Sequence, residues 1–294
     1  MFHCRELPLR RESSQHRVSY SMANPARIFE QLHGDLITSL VACRVRPDRK
    51  PVHSLRTAVR RIEALLLAIR EDHPRAATLQ HGVRKAFLPL KSVRRAAGPV
   101  RDLDVQRELI ETIAQHQGHT KTEEERQKLK VDCGELDRHL RRRRRRLAKE
   151  LTSTAKEFEP ALEETLESAG SQLKQLDEKP YLATARRLVT QSSMKLTDIK
   201  RGSLHRYRKQ IKAARYLAEM DNTSVPAKRL AQRLKKMLDS IGQWRDWMLL
   251  GQEAKSAFGK HSTLAKAIRA ERNHARTLAV RSVENLRKSL PKIG

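Results

Sequence analysis

From Ala26 onward the apolar positions recur with a helical period of ~3.6 residues, and no stretch shows the strict alternation of a half-buried strand. Glycine and proline number only 11 each, too few for the turns of an all-β chain. The pattern predicts an all-α protein. A first helix runs from Pro25 to about Cys43, and Pro47–Pro51 marks a turn. A second helix carries His53 and ends at His73-Pro74. The next closes at Gly98-Pro99, and after Arg107 a helix continues to about Gln115. Gln117-Gly118-His119-Thr120 is a break, followed by a long helix from roughly Thr122 to Phe158. The acidic segment Glu159–Gly170 gives way near Asp177–Pro180 to a second half.

Two of these helices present a cationic strip. Projected at ~100° per residue, His53, Arg56 and Arg60 share one strip, with Arg61 beside them. Val59, Ile62, Leu65, Leu66 and Ile69 take the opposite face. Further along, His205, Arg208, Lys212 and Arg215 share one side of a helix, and Ile211, Ala214 and Leu217 the other. A solvated charged face normally mixes signs at i,i+4 for mutual support. Here only Glu63 breaks the first strip, and Glu219 comes late in the second. The reading is a binding wall for anions with the core behind it.

The wall occurs twice. The two histidines are 152 residues apart. Each strip is followed by a matching helix, Leu90-Lys91 through Gly98 to Arg101-Asp102, and Leu234-Lys235 through Gly242 to Arg245-Asp246, offset by 144 residues. Self-similarity over two helices points to a duplicated unit. In the first copy Phe87, Leu90, Val93 and Ala97 form the apolar side, while Arg84, Lys91 and Arg95 point the other way. In the second, Lys228 and Lys235 hold the matching places and Asp239 stands where Arg95 would be. The Arg-Asp pairs read as structural ties beside a glycine that permits close approach, and Trp244 and Trp247 as packing anchors.

The H-x-x-R-x-x-x-R-R helix, the later L-x-x-x-G-x-x-R-D helix and the repetition of both resemble the CHAD family of histidine-marked helical domains. The stretch Leu204-His205-Arg206-Tyr207-Arg208-Lys209-Gln210-Ile211-Lys212-Ala213-Ala214-Arg215-Tyr216 is especially similar to its second motif. The resemblance spans roughly residues 25–290. It implies a compact bundle of two pseudo-symmetric four-helix halves around a basic central pore that holds inorganic polyphosphate. His53, Arg56, Arg60, Lys91, His205, Arg208, Lys212, Arg215 and Lys235 carry over as contacts. Two departures stand out: Pro89 interrupts the helix before Lys91, and Asp239 faces where a base would suit.

Charge supports the same partner independently. Lys and Arg total 62 against 34 Asp and Glu, a formal net charge of +28, which calls for a polyanion. Aromatic residues are 4%, too sparse for the stacking platforms of single-strand nucleic-acid binders. Neither zinc-finger spacing nor a basic region with long heptads occurs. Nucleic-acid backbone binding is the alternative reading, secondary to polyphosphate. Arg141–Arg146 is six consecutive arginines, which wrap a helix on all sides. Two or three of them reach ligand at most, and the others are solvated or paired with acids such as Glu135 and Asp137.

Catalysis finds no foothold. Gly259-Lys260-His261 fails as a phosphate-binding loop, and HExxH, GxGxxG and GxSxG are absent. Glu123-Glu124-Glu125-Arg126-Gln127-Lys128 is no E-x-E-x-K strand pattern. Histidines among arginines are poor metal ligands, so neither metal nor cofactor is expected, and the expectation is a non-enzymatic binder. Three cysteines without a CxxC pair suit a reducing cytosol. Cytoplasmic placement, on polyphosphate granules, follows as the expectation. Ala64–Ile69, the longest strongly apolar run, is too short to span a membrane. Residues 1–22 lack the apolar stretch of a secretory signal and read as a disordered basic arm, with Met22 an alternative start. One helical domain over 23–294 is expected, its halves at about 23–170 and 177–294.

Overall fold

The computed structural model describes residues 24–115, 122–177, 181–194, 201–221 and 224–289. The arm at 1–22 and the break at 117–120 lie outside the described residues. Among the described residues there are eight helices and no strand. They are α1 (Pro25–Val45), α2 (Arg49–Asp72), α3 (Ala77–Gln115), α4 (Glu123–Leu173), α5 (Tyr181–Met194), α6 (Arg201–Met220), α7 (Val225–Phe258) and α8 (Thr263–Ser289).

Local signals set most of the starts. Asn24 caps α1 by accepting from the Arg27 N–H at 3.0 Å, with Pro25 at the first turn. Thr122 caps α4, where Glu123, Glu124 and Glu125 complement the helix dipole. Ser224 caps α7, and Ser262 accepts from the Ala265 N–H to open α8. Gly259 ends α7 at φ 79°, in the left-handed region that a side chain disfavours.

Three expected boundaries are wrong, all for one reason. α3 continues through both Pro89 and Pro99, and α4 runs past Phe158 and Pro160 to Leu173. An internal proline costs ~3 kcal/mol. Around Pro99, however, Val93, Ala97, Val100 and Leu103 are all buried on one continuous face. Beyond Pro160, Leu162, Leu166, Ala169 and Leu173 are fully buried at helical spacing. Each buried Val or Leu contributes ~1.5–3 kcal/mol, so the burial outweighs the missing bonds.

The helices form antiparallel neighbours α1/α2, α3/α4, α5/α6 and α7/α8. Across the halves α2 packs on α6, α3 on α7 and α4 on α8. The main core gathers α1, α2, the first half of α3, the second half of α4 and the matching parts of α5–α8, with Phe29, Leu55, Leu66, Leu90, Ile211 and Leu234 among its members. A second core joins the far ends of α3, α4, α7 and α8 through Ile110, Ile113, Leu136, Leu140 and Leu250. Trp247 is buried in it and Trp244 packs against both cores, so the two tryptophans are the anchors expected. None of the described helices is long and apolar enough to cross a membrane.

Candidate functional site

The apolar faces predicted for α2 and α6 are buried. Val59, Ile62, Leu65, Leu66, Ile69, Ile211, Ala214 and Leu217 all lie in the core. Those faces lie in the main core, and the two basic strips meet across the α2–α6 contact. They enclose a cavity of about 610 Å³. His53, Arg56 and Arg60 of α2 line it, with Arg208, Lys212 and Arg215 of α6 and Lys235 of α7. A second cavity of about 500 Å³, lined by Lys91, Arg94, Phe87 and Glu63, shares Arg60, Arg208, Lys212 and Tyr216 with the first. Those four side chains are the common wall where the two spaces meet.

Not every expected residue reaches them. Arg84 and Lys228 stand about two helical turns before Lys91 and Lys235 and are exposed outside both cavities. Arg95 is also exposed outside them, and its neighbour Arg94 takes the inward position. His205 lies on α6, but its side chain is outside the described residues.

The Arg-Asp pairs are part of this wall, which the sequence reading did not anticipate. Arg101, Asp102, Arg245 and Asp246 all line the larger cavity. Arg56 Nη1 donates to the Gly98 carbonyl at 2.7 Å and to Asp102 Oδ1 at 3.3 Å. Arg245 Nη2, from the other half, donates to Asp102 Oδ2 at 3.2 Å. One carboxylate thus holds an arginine from each half. Arg208 takes the matching place on Gly242, its Nη2 lying 3.5 Å from where a Cβ would stand. The signal was present: both pairs repeat at the same offset as the lysines. Neither pair sits at a helix end, because α3 and α7 both run on.

Glu219 is a second clamp. It meets Arg215 Nε at 3.0 Å and Arg61 Nη2 at 3.3 Å, tying α6 to α2. Arg215 also lies over Tyr216, 4.7 Å from the ring centroid, a cation–π contact. Asp239 pairs loosely with Lys235 at 3.7 Å, so the departure noted in the sequence softens one cation at the rim.

Even so, the larger cavity holds nine arginines and lysines against five carboxylates, a clear positive excess. Among the described residues Arg60, Arg208 and Lys212 have no salt-bridge partner, and the Nε of Arg208 is buried without a hydrogen bond. Burial and the arginines around it push Lys212 down to about 6. Burial first, then Arg56, lowers Arg60 to about 10, which leaves it charged at neutral pH. Arg208 is lowered by burial and by Arg245. Burial, then Arg101, Arg56, Arg215 and Arg49, holds His53 below its ordinary value. Asp246 is raised by burial and by its like-charged neighbour Asp102. Such a site favours an incoming anion.

The arginine run plays a different part. Arg144 donates from Nε to Asp104 Oδ1 at 2.7 Å and from Nη2 to the Pro47 carbonyl at 2.8 Å, pinning α4 to α3 and the α1–α2 turn. Arg143 reaches Glu253 of α7 at 2.6 Å, and Arg141 reaches Asp137 at 2.7 Å. Arg146 sits 3.8 Å from Glu150, while Arg142 and Arg145 are exposed. None of the six lines either cavity.

Fold and site together define an all-helical bundle with an arginine- and lysine-lined interior. The chain belongs to the CHAD domain family, whose profile matches residues 33–255. Its fold is similar to the crystal structure of the CHAD domain from the plant Ricinus communis, at 16% identity and a TM-score of 0.61, with 94% of each chain covered. PptA from Streptomyces chartreusis is similar at 15% identity and a TM-score of 0.60, over 91% of this chain and 99% of that one. No curated protein matches the chain.

Proposed function

We propose that this chain binds inorganic polyphosphate, as CHAD domains in general are associated with doing, and that the ligand lies through the two adjoining cavities. The observation that carries this reading is their shared wall: Arg60, Arg208 and Lys212, half-buried and without carboxylate partners among the described residues, between two spaces of about 610 and 500 Å³. Polyphosphate is flexible, carries a charge on every unit and has no bases to read. Arg60 and Arg208 would grip phosphoryl oxygens, bidentately where the geometry permits. Lys91 and Lys235 would act as point charges at either side, and His53 would donate a hydrogen bond. A stiff nucleic-acid duplex cannot enter spaces of this size and would meet only the outer arginines.

We read the protein as a binder without catalytic chemistry of its own. Three of the five carboxylates that line the larger cavity, Asp102, Glu108 and Glu219, are each held between two arginines. Attachment to polyphosphate granules is the role that follows from such binding. The test is competition at physiological salt between long-chain polyphosphate and duplex DNA for the purified protein. Polyphosphate is expected to displace DNA at equal phosphate concentration, and DNA holding its place would hand the function to the nucleic-acid reading.

A further inference from the structure

Lys212 is set apart from the other lysines of the site. Lys91 and Lys235 are exposed at the cavity edges, and Lys235 leans on Asp239. Lys212 stands at the common wall of both cavities, half-buried, and has no salt-bridge partner among the described residues. Arg208 and Arg215 flank it on its own helix, and Arg56 and Arg60 face it from α2. Across the smaller cavity Lys91 and Arg94 of α3 add positive charge, and Glu63 is the one acid there. On the larger side Asp102, Glu108, Glu219, Asp239 and Asp246 lie in ion pairs with arginines or with Lys235.

We infer that Lys212 is a self-acylation site for small acyl phosphates, captured by the same arginines that line the cavity. The chemistry needs three things in one place: an amine with a free lone pair, cations to hold the phosphate group, and room for a small molecule. All three are present. Burial at the common wall, and then Arg208, Arg60, Arg56 and Arg215 around it, push the Lys212 amine down to about 6, which favours the neutral form at neutral pH. Arg60 and Arg208 adjoin it and have charge to spare. The lone pair attacks the acyl carbon and a C–N bond forms. The acyl C–O bond to phosphate breaks, and inorganic phosphate departs between the arginines, taking up the proton the amine gives up. The product is an amide, without charge, at the junction of the two cavities. Acylation would therefore weaken the binding of a long polyanion, a consequence that rests on the polyphosphate reading above.

The experiment uses the whole unmodified chain, so no variant needs to fold. The protein is treated with acetyl phosphate at pH 7.5 and the acetylated lysines are followed over time by peptide mass spectrometry. An ordinary lysine near 10.4 is ~0.1% neutral at that pH, whereas one near 6 is almost wholly so, and the weaker nucleophile returns only part of that advantage. Lys212 is expected to react about tenfold or more faster than the exposed Lys85 and Lys149, with a rate that saturates in donor, and pyrophosphate should slow it. Labelling of Lys212 at or below the rate of those exposed lysines overturns the proposal, as does indifference to pyrophosphate. Protection by long-chain polyphosphate is scored separately. If pyrophosphate protects and polyphosphate does not, the acylation site stands and the polyphosphate reading falls.

Discussion

Replacing Lys212 with Met should make the unliganded protein more stable, because the site holds an amine where charge is penalised. In the unfolded chain this lysine has its ordinary value of 10.5, and in the fold it is pushed down to about 6. Between those two values the unfolded state binds more protons than the folded one, so wild-type stability rises with pH across that window. At pH 7.5 the fold must strip the proton from Lys212, at a cost of about 4 kcal/mol as an upper bound. Water and small anions in the cavity reduce it, so a gain of about 2–4 kcal/mol is expected for Lys212→Met. At roughly 2 °C per kcal/mol for a chain of this size, Tm should rise by about 4–8 °C. The gain should be largest near pH 6, shrink to about 1 kcal/mol at pH 9.5 and vanish above 10.5. Thermal and urea denaturation of both proteins in phosphate-free buffer at several pH values would measure it. A loss of stability at pH 7.5, or a gain that does not change with pH, would show that Lys212 carries no such charge penalty in the fold.

Three further outcomes follow. Polyphosphate supplies the negative field the site lacks, so Lys212 should regain its proton on binding and affinity should tighten as pH drops from about 8 to 6. Calorimetry in two buffers of different ionisation enthalpy should show uptake of about one proton, mostly absent in Lys212→Met and slightly reduced in His53→Gln. Arg144→Ala should destabilise the fold by about 3–5 kcal/mol, because it strands the buried Asp104 carboxylate, whereas Arg142→Ala and Arg145→Ala should stay within about 0.5 kcal/mol in chemical denaturation. Asp102→Asn should loosen both Arg56 and Arg245, raising amide exchange where α3 meets α7 and lowering polyphosphate affinity without touching a ligand-facing cation.

The two basic helices were fully legible in the sequence, since a helix with one apolar face has only one way to turn, and the repeat said they would do so together. What lay hidden depended on the neighbours. Pro89, Pro99 and Pro160 look like stops to any local rule, but apolar residues spaced on both sides of each carry the helix through. Arg84, Arg95 and Lys228 share a face with true lining residues, yet angle about one helix axis does not tell how far along it a cavity extends. Arg101 and Arg245 were read as structural ties. They are ties, Arg245 through Asp102 and Arg101 toward Glu108 at 3.6 Å, and they are also wall. That Lys212 has no salt-bridge partner among the described residues could not be seen at all, because it is a property of several helices at once.

The proposed binding rests on three inward cations and not on the overall charge. Arg60→Gln, Arg208→Gln and Lys212→Gln combined should be compared with Arg138→Gln, Arg142→Gln and Arg145→Gln combined, three exposed positions on α4. Both sets remove the same formal charge. Titration with long-chain polyphosphate at physiological salt should show a hundredfold or greater loss for the inward set, at about 1.5 kcal/mol for each charge-assisted contact removed. The outer set should lose only a few-fold, and helical circular dichroism should be retained in both. Equal losses from the two sets would assign the binding to overall charge instead of the inward wall.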